Sequence, residues 1–408
     1  MARRMNGMYA TQRRAVMSLL LLATTFYGGI WAAGRLIGRP VQSPDIHFAY
    51  LAGAFLDGRL HLEADEGPGL REIVTFEEKR YVVYPPLPAM AVMPLVAVFG
   101  PRFETSLVSI VFGAFALVAI FVLLRRLDRP RDVAWWSALV FGFGTSYADA
   151  TMRGSSWLIA HVLGVLLLTA GLAEIFGKNR GLLAGLLVGA ALWCRLPMAL
   201  AAPFAMFLAA NRCEGHKTRK ALEVGAGVGV FVALNGLYNW LRFGWIGNVA
   251  YEMIPGVLEQ PWYERGIFHI AYVPRNLYAL FLEPPVLLHS FPYIVVSLFG
   301  LGIFFATPSY LLIAWTPFRD LRMQIFAAAT VACLLPAMLH GWPGGSQYGY
   351  RFSLDAGPFL IAMMAFGIGD RVTPRIRALI LFNLAIAVWG LVFSRWIPPT
   401  DRIYPFNF

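Results

Sequence analysis

Residues 104–124 read ETSLVSIVFGAFALVAIFVLL, and Arg125 and Arg126 follow directly. The run is apolar on all sides rather than in alternation, and it is long enough to cross a hydrocarbon layer of about 30 Å as a helix. Because backbone polar groups in lipid must be paired within the segment, the run predicts a transmembrane α-helix and not a strand of a β-barrel.

Similar runs recur along the chain, in which 58% of residues are hydrophobic, 14% are charged and the mean hydropathy is +0.61. A soluble globular composition is excluded. We predict an all-α polytopic membrane protein that forms a single domain over residues 1–408, with no separate soluble domain and about 11 crossings. The predicted crossings are residues 15–37, 104–124, 133–149, 157–176, 181–194, 197–210, 221–241, 292–316, 322–339, 353–369 and 376–396.

Charge predicts the orientation. The chain has 34 Lys and Arg against 23 Asp and Glu, a net charge of +11. Arg3, Arg4, Arg13 and Arg14 precede the first crossing, and cytoplasmic segments of membrane proteins are enriched in Lys and Arg. The N-terminus is therefore predicted inside, in the cytoplasmic (plasma) membrane. Because topology accounts for the positive charge, membrane lipids are expected as partners and nucleic acid is not.

Residues 181–210 contain two apolar segments separated by Arg195 and Pro197. They are either two short crossings or one long broken helix. The basic residues at 178–180 and at 212–220 favour the same side of the membrane, which two crossings satisfy and one does not. Glycines spaced four apart in the neighbouring crossings fit close helix packing, and these are Gly181, Gly185 and Gly189, with Gly225 and Gly229.

Three longer segments face outward in this topology, at residues 38–103, 242–291 and 340–352. In the first, residues 46–60 and 89–99 are too short to span and are predicted as interfacial helices. The acidic residues between them, Glu72 among them, are interpreted as a solvated loop. Since the cytoplasmic loops are short and basic, chemistry is expected on the outward side, away from ATP and nucleotide sugars.

Asp45 is the first candidate for that chemistry, because it follows the first crossing directly. Ser43 and Pro44 predict a helix start, which puts Asp45 in the first turn, where the helix dipole favours a carboxylate. The alternative is that Asp45 only stabilises a helix N-terminus.

Two further clusters contain ionisable groups near membrane depth. Asp149 and Arg153 are four residues apart, which suits either a cavity-facing site or a plain helical ion pair. Arg195 is either an arginine that reaches for the interface or a ligand for an anion. Residues 340–352, HGWPGGSQYGYRF, combine glycines with Arg351, and this pattern suits either close approach to a phosphate or an ordinary turn between helices.

Read together, these clusters resemble the C-type (GT-C) integral membrane glycosyltransferases, in the branch of the protein mannosyltransferases and the lipid A aminoarabinose transferase. The motifs that carry the resemblance are Asp45 after the first crossing, Tyr84-Pro85-Pro86, RGSSWLIAH at residues 153–161, YNWLRFG at 238–244 and GYRFSLDAGPF at 349–359. They follow one another in order over nearly the whole chain.

The resemblance implies a GT-C fold and transfer of a sugar, with inversion, from a polyprenyl-phosphate donor to a hydroxyl of a lipid, glycan or protein acceptor at the outer face of the membrane. Asp45 would be the catalytic base and Asp149 the second acidic residue. Relatives often carry a lysine where this chain has Tyr84. The candidates for binding the donor phosphate are Arg153, Arg195, Arg351, Lys79 and Arg80. The substrate pocket is expected to include His47, Tyr84, His161, Tyr348 and Tyr350.

No metal motif is present, since Cys194, Cys213 and Cys333 are scattered and the histidines are not closely spaced. No cofactor is predicted, although a divalent metal between Asp45 and Asp149 stays open. The competing function is a secondary transporter or lipid flippase, because the break at Arg195 resembles a discontinuous transport helix. The long polar first loop and the lack of a two-halves repeat argue against it.

Overall fold

A computed structural model describes residues 2–38, 42–291 and 293–396. The described chain is mostly helical. The helices are α1 (Ala2–Leu36), α2 (His47–Leu56), α3 (Leu87–Phe99), α4 (Thr105–Arg126), α5 (Arg131–Gly144), α6 (Ser146–Arg153), α7 (Ser156–Phe176), α8 (Gly181–Leu192), α9 (Ala202–Asn211), α10 (Lys217–Phe243), α11 (Val273–Phe281), α12 (Ile303–Ala306), α13 (Leu321–Leu339), α14 (Gly357–Gly367) and α15 (Pro374–Trp396). Short 3₁₀ helices cover Leu196–Ala201, Val257–Glu259, Pro261–Tyr263, Ile270–Tyr272, Pro308–Trp315 and Arg351–Ala356.

The strands form two small antiparallel hairpins, one of β1 (Ile73–Phe76) with β2 (Lys79–Val82) and one of β3 (Val286–Leu287) with β4 (Ile294–Val295). The main core lies between the long helices and includes the buried rings of Phe121, Phe141, Phe326 and Phe359. The prediction of an all-helical membrane protein is confirmed at this level.

Within the described residues, six helices are long and apolar enough to cross a membrane, and the structure does not confirm eleven crossings. The six are Gln12–Leu36, Thr105–Arg126, Ser156–Phe176, Lys217–Phe243, Leu321–Leu339 and Pro374–Val392. The predicted crossings at 133–149, 181–194, 197–210 and 353–369 correspond instead to shorter or interrupted helices.

The predicted crossing at residues 292–316 is wrong. This stretch is divided among β4, α12 and a 3₁₀ helix, so it contains no continuous membrane-length helix. Gly300 has a φ of +84°, and a side chain at Gly302 would lie 2.8 Å from the carbonyl carbon of Phe281. Pro308 then begins the 3₁₀ helix. Hydropathy identifies the segment as apolar, but the glycines and the proline break its backbone.

The chain reverses direction between α8 and α9, as two short antiparallel segments require. Asn179, just before α8, donates from Nδ2 to the carbonyl of Ala209 near the end of α9 at 2.9 Å. Arg212 donates from Nε to the carbonyl of Ile175 at 3.1 Å. The start of α8 and the end of α9 therefore meet at one end of the molecule, and Arg195 lies at the turn between them.

The same end of the molecule gathers several other loops with basic residues. Arg129 forms an ion pair with Asp370 at 3.3 Å, and the carboxylate of Asp132 accepts a hydrogen bond from the backbone N–H of Val372, also at 3.3 Å. Arg126 at the end of α4 donates to a backbone carbonyl near the end of α7.

At the other end of α4, Thr105 donates to the carbonyl of Gly154 at 2.8 Å. The helical bundle thus has a basic end and an opposite end that holds the residues around Asp45.

An outer layer covers that opposite end. The two predicted interfacial helices are present as α2 and α3, and they pack together through Phe48, Leu51, Val92 and Val96. Between them the solvated-loop prediction holds for Glu63, Asp65, Glu77 and Glu78, which are exposed and lie outside the strands. It did not include the hairpin of β1 and β2, which pairs from Ile73↔Val82 to Phe76↔Lys79.

Arg242 joins this hairpin to the end of α10. Its buried guanidinium donates from Nη1 to the carbonyl of Val82 at 2.7 Å and from Nη2 to Oδ1 of Asn239 at 2.7 Å. Val74 of the hairpin shares a buried cluster with Phe243. The first two outward segments of the sequence, 38–103 and 242–291, therefore form one layer over the candidate site.

Candidate functional site

Asp45 is fixed by the start of α7. Its backbone carbonyl accepts hydrogen bonds from the N–H and the Oγ of Ser156, at 3.0 and 2.9 Å. The residue is 3% exposed, and its Oδ2 lies 2.6 Å from Nη2 of Arg71. The hydrogen bond to Asp45 raises the pKa of Arg71, whose side chain is 71% exposed. The buried carboxylate is thus neutralised by a cation on a solvent-facing side chain.

Asp45 does not lie in a first helical turn, so that prediction is wrong. α2 begins at His47 with Ile46 as the capping residue. The Oγ of Ser43 accepts from the backbone N–H of Asp45 at 3.2 Å, and the carbonyl of Pro44 accepts from the N–H of Ile46 at 3.0 Å. Ser43 and Pro44 therefore form a tight turn ahead of the helix, which is a common alternative use of serine.

His47 lies beneath this pair and positions it. Its Nδ1 is 2.9 Å from Oγ of Ser156, and its Nε2 donates to the backbone carbonyl of Arg71. Burial lowers the pKa of His47, which keeps the ring neutral near pH 7. His47 is wholly buried. It was predicted as a pocket residue, and the structure places it in the support of Asp45 and Arg71.

Glu72 is the site residue that sequence reasoning missed. Its carboxylate accepts a hydrogen bond from Nε1 of Trp157 at 2.8 Å and another from the hydroxyl of Tyr84. Burial raises the pKa of Tyr84, and the nearby carboxylate raises it further, which holds the phenol as a donor. Glu72 has a φ of +56°, a conformation that non-glycine residues adopt rarely. Such strain concentrates at functional positions.

Arg195 meets a carboxylate that the sequence did not indicate as its partner. The guanidinium forms a bidentate pair with Asp355, at 3.1 Å from Nε and 2.7 Å from Nη2. The His161 ring lies beside this pair, with Nδ1 3.1 Å from Oδ1 of Asp355. His161 and Asp355 are both fully buried. The predicted pocket residue His161 therefore packs against the ion pair of Asp355 with Arg195.

Arg351 shares an aromatic neighbour with Arg195. The guanidinium carbons of Arg195 and Arg351 lie 5.7 and 5.1 Å from the centre of the Phe352 ring. Arg351 donates from Nη1 to the carbonyl of Gly345 at 3.2 Å, and its buried Nε has no hydrogen-bond partner among the described residues. Burial lowers the pKa of Arg351 and the charge of Arg195 lowers it further, whereas the charge of Glu72 raises it.

These groups form one polar cluster, which we define as Asp45, Arg71, Glu72, Tyr84, Trp157, Arg195, Arg351 and Asp355. Arg71 lies over the ring of Trp157, with its guanidinium carbon 5.1 Å from the ring centre. Trp157 donates to Glu72, and one turn further along α7 the His161 ring lies 6.3 Å from the Phe352 ring that Arg351 contacts. The cluster brings together a buried carboxylate, a second carboxylate and several guanidinium groups, and among the described residues Arg351 has no carboxylate partner.

Asp149 is taken up by structural contacts. It lies in the first turn of α6, not in a loop, and is 2% exposed. Its Oδ1 accepts from Nε of Arg153 at 2.8 Å, and its Oδ2 accepts from the backbone N–H of Tyr348 at 3.3 Å. Arg153 also donates to the carbonyl of Ser346. Of the two alternatives, the helical ion pair is the one found, and it anchors the glycine-rich loop.

The predicted phosphate roles of Lys79 and Arg80 do not fit the hairpin. Nη1 of Arg80 donates to three backbone carbonyls, those of Glu63, Ala64 and Glu66, at 2.9 to 3.1 Å. Lys79 is exposed next to the hairpin turn. The cation beside Asp45 is Arg71 instead. This pairing could not be predicted from local sequence, because 26 positions separate the two residues.

Tyr348 and Tyr350 are packing residues, so their assignment to the substrate pocket is wrong. Tyr348 is 0% exposed, and its hydroxyl donates to the carbonyl of Ala306 at 2.8 Å. A side chain at Gly390 would lie 2.1 Å from the ring of Tyr348. Tyr350 is 1% exposed and directs its hydroxyl to Asn276. Tyr84, by contrast, belongs to the polar cluster.

An apolar groove of about 680 Å³ lies between α3 and α4. Its lining includes Leu95, Phe99 and Val111, with Arg102 and Glu104 as its charged members. The N-terminus of α4 borders the segment that leads to Asp45, since Gln42 accepts from the backbone N–H of Ser106 at 3.3 Å. The start of α4 therefore borders both the groove and the segment that leads to Asp45.

The described residues do not support binding of a metal ion at this site. The described residues include no group of three or more His, Cys, Asp or Glu side chains placed to hold a metal ion. Asp45 and Asp149 each face an arginine, so the divalent ion left open between them does not fit these residues.

Neither a protein-family model nor a curated protein sequence matches this chain. A functional assignment therefore rests on the geometry of the polar cluster and on the sequence motifs. The arrangement suits two chemical tasks, removal of a proton by a buried carboxylate and binding of an anion by guanidinium groups.

Proposed function

We propose that this protein is a GT-C-type membrane glycosyltransferase that moves a sugar from a polyprenyl-phosphate donor to an acceptor hydroxyl. The observation that carries the proposal is the meeting of the buried Asp45 carboxylate with Arg71, Glu72 and Arg351 in one cluster at one end of the helical bundle. The motif resemblance supports the same assignment.

In the proposed reaction, Asp45 takes the proton of the acceptor hydroxyl. The oxygen of that hydroxyl forms a bond to the anomeric carbon of the sugar in the same step. The bond from that carbon to the phosphate oxygen breaks on the opposite face, and its electron pair leaves with the polyprenyl phosphate. A positioned base typically contributes about 10² to 10⁴ in rate. Guanidinium groups that bind the growing phosphate charge more tightly in the transition state accelerate its departure.

We assign the donor phosphate to Arg351 and Arg195. Arg195 is held by Asp355 through Nε and Nη2, while the buried Nε of Arg351 has no hydrogen-bond partner among the described residues. A buried donor without a partner carries a desolvation cost, which a phosphate oxygen at this Nε would offset. We do not assign the phosphate to Arg153, because its contacts with Asp149 and with the carbonyl of Ser346 anchor the glycine-rich loop.

The polyprenyl chain stays in the bilayer, and the groove between α3 and α4 offers it an apolar surface. The basic end of the bundle favours the cytoplasm by the charge rule, which puts the polar cluster at the outer face of the plasma membrane. In this orientation the chain leaves the cluster along α4 and returns to it through α5 and α6, since Gly154 after α6 accepts a hydrogen bond from Thr105 at the start of α4.

The experiment measures release of undecaprenyl phosphate from undecaprenyl-phosphate-linked sugars by the purified protein in lipid nanodiscs, with membrane extract as the acceptor source. We expect Asp45→Asn to lower turnover by about 10² to 10⁴ while the variant stays folded and retains lipid, because only the proton acceptor is lost. Asp57→Asn is the matched control, since Asp57 is an exposed acid paired with Arg59.

Full turnover in Asp45→Asn would remove Asp45 from the mechanism. Movement of the intact sugar-lipid across the bilayer, with no release of undecaprenyl phosphate, would instead favour the alternative of a transporter or lipid flippase.

A further inference from the structure

The environment of Glu72 differs from that of an acidic residue with a structural role only. Trp157 and Tyr84 both donate to the same oxygen, Oε2. The other oxygen, Oε1, accepts no hydrogen bond from the described residues. A carboxylate has about four acceptor sites, and here the two protein donors leave one oxygen for a ligand.

The backbone of Glu72 sets the direction of its side chain. The residue has a φ of +56° next to the first strand of the hairpin, where glycine would avoid the strain. The strained turn directs Glu72 to Trp157 while the preceding residue, Arg71, reaches Asp45. Arg71 and Glu72, which are adjacent in sequence, thus place a cation against the proposed base Asp45 and a carboxylate against Trp157.

Glu72 and Arg351 are linked by packed side chains: Trp157, which donates to Glu72, lies one helical turn from His161 on α7, and the His161 ring is 6.3 Å from the Phe352 ring that Arg351 contacts. The described residues show no ion pair between Glu72 and Arg351, and they provide no hydrogen-bond partner for Oε1 of Glu72 or for the buried Nε of Arg351. A ligand that satisfies both must present a hydrogen-bond donor on one side and an anion on the other. A glycosyl phosphate has this chemistry, with hydroxyl groups on the sugar and negative charge on the phosphate.

We propose that Glu72 is a sugar-specificity residue, which accepts hydrogen bonds from hydroxyl groups of the donor sugar while Arg351 binds the phosphate next to it. This inference rests on the proposed function. It assigns the sugar of the donor to Glu72 and the phosphate of the donor to Arg351. Trp157 and Tyr84 hold the carboxylate in its orientation. A hydrogen bond to a charged acceptor favours ligands that carry the matching hydroxyl group over ligands that lack it.

The test compares binding of bare undecaprenyl phosphate with binding of the same lipid carrying mannose, glucose, N-acetylglucosamine or 4-amino-4-deoxyarabinose, measured by native mass spectrometry in detergent. We expect the wild-type protein to bind one or more of the sugar-linked lipids more tightly than the bare lipid. In Glu72→Gln that preference, taken as the ratio of sugar-linked to bare-lipid affinity within the same variant, falls by about tenfold or more.

Glu72→Gly is the second variant, since glycine suits a φ of +56° and removes the carboxylate without straining the turn. It is expected to lose the sugar preference as Glu72→Gln does. Glu77→Gln is the matched control, because Glu77 also has a positive φ but lies at the hairpin turn, away from the cluster.

Equal weakening of the bare and sugar-linked lipids would overturn the specificity role and make Glu72 a structural residue. The specificity role would also be overturned if both variants kept the wild-type preference. The same holds if the wild-type protein bound none of the sugar-linked lipids more tightly than the bare lipid. Failure of the wild-type protein to bind even bare undecaprenyl phosphate would reject the proposed function itself, which distinguishes the two failures.

Discussion

Arg195 and Arg351 lie against the same phenyl ring, but only Arg195 is neutralised by a carboxylate. Asp355 supplies it and is fully buried together with His161. An ion pair at such a site adds little net stability when both partners are present, because each loses its hydration. Its strongest effect is on orientation, since the bidentate geometry fixes the plane of the guanidinium.

Removal of one partner of this pair tests that view. We expect Asp355→Asn to lower the free energy of unfolding by about 3 to 5 kcal/mol, because it leaves the Arg195 charge enclosed without a counter-charge. Thermal unfolding of the detergent-solubilised protein, followed by circular dichroism, measures the change. Asp370→Asn is the control, because Asp370 also pairs with an arginine but its side chain is 89% exposed. A similar loss in both variants would contradict the argument.

At the scale of elements, α8 and α10 approach each other through glycine. A side chain at Gly185 would lie 2.1 Å from the carbonyl oxygen of Val224, and one at Gly227 would lie 2.5 Å from the backbone nitrogen of Leu186. The predicted use of Gly185 for close packing agrees with the structure. On α10 the contact residue is Gly227, whereas Gly229 faces open space.

A small residue is therefore required at Gly185. We expect Gly185→Leu to destabilise the protein by about 1 to 3 kcal/mol or more, since the new side chain meets backbone, which yields less easily than a side chain. The unfolding temperature in detergent gives the measurement. Gly229→Leu provides the comparison and is expected to leave that temperature unchanged. Equal stability of the two variants would show that α8 and α10 separate without cost.

The hairpin of β1 and β2 explains why the local sequence was misleading in the first outward segment. Its residues alternate weakly, and the two-residue turn is Glu77-Glu78, both with positive φ, where Asn and Gly are the usual signals. Two acidic residues in succession are more typical of a solvated loop than of a hairpin turn. Contacts from distant elements stabilise the hairpin, among them the hydrogen bond from Arg242 to Val82.

At the scale of the whole molecule, acidic and aromatic groups of the polar cluster lie at one end and basic loops at the other. The proposed function requires the first end outside and the second inside. We expect a membrane-impermeant maleimide to label Lys79→Cys in intact cells and to label Arg219→Cys only after permeabilisation, both in a background without native cysteines. Lys79 and Arg219 are both exposed, which makes their reactivity comparable.

The reverse labelling pattern would place the cluster in the cytoplasm and contradict the outward site. Labelling of both positions in intact cells would show that the cells were leaky, and a cytoplasmic marker protein with an exposed cysteine controls for this.

The sequence by itself determined that this is a helical membrane protein, the six long helices, the two short helices α2 and α3, and the reversal at Arg195. A membrane-spanning helix and its flanking charges are defined by about 20 neighbouring residues, so these helices can be predicted from short stretches of sequence. Only the tertiary structure decided which carboxylate meets which arginine. Asp45 pairs with Arg71, Arg195 pairs with Asp355 and Glu72 joins the site, because many arginines carry the same charge and only distance within the fold distinguishes them.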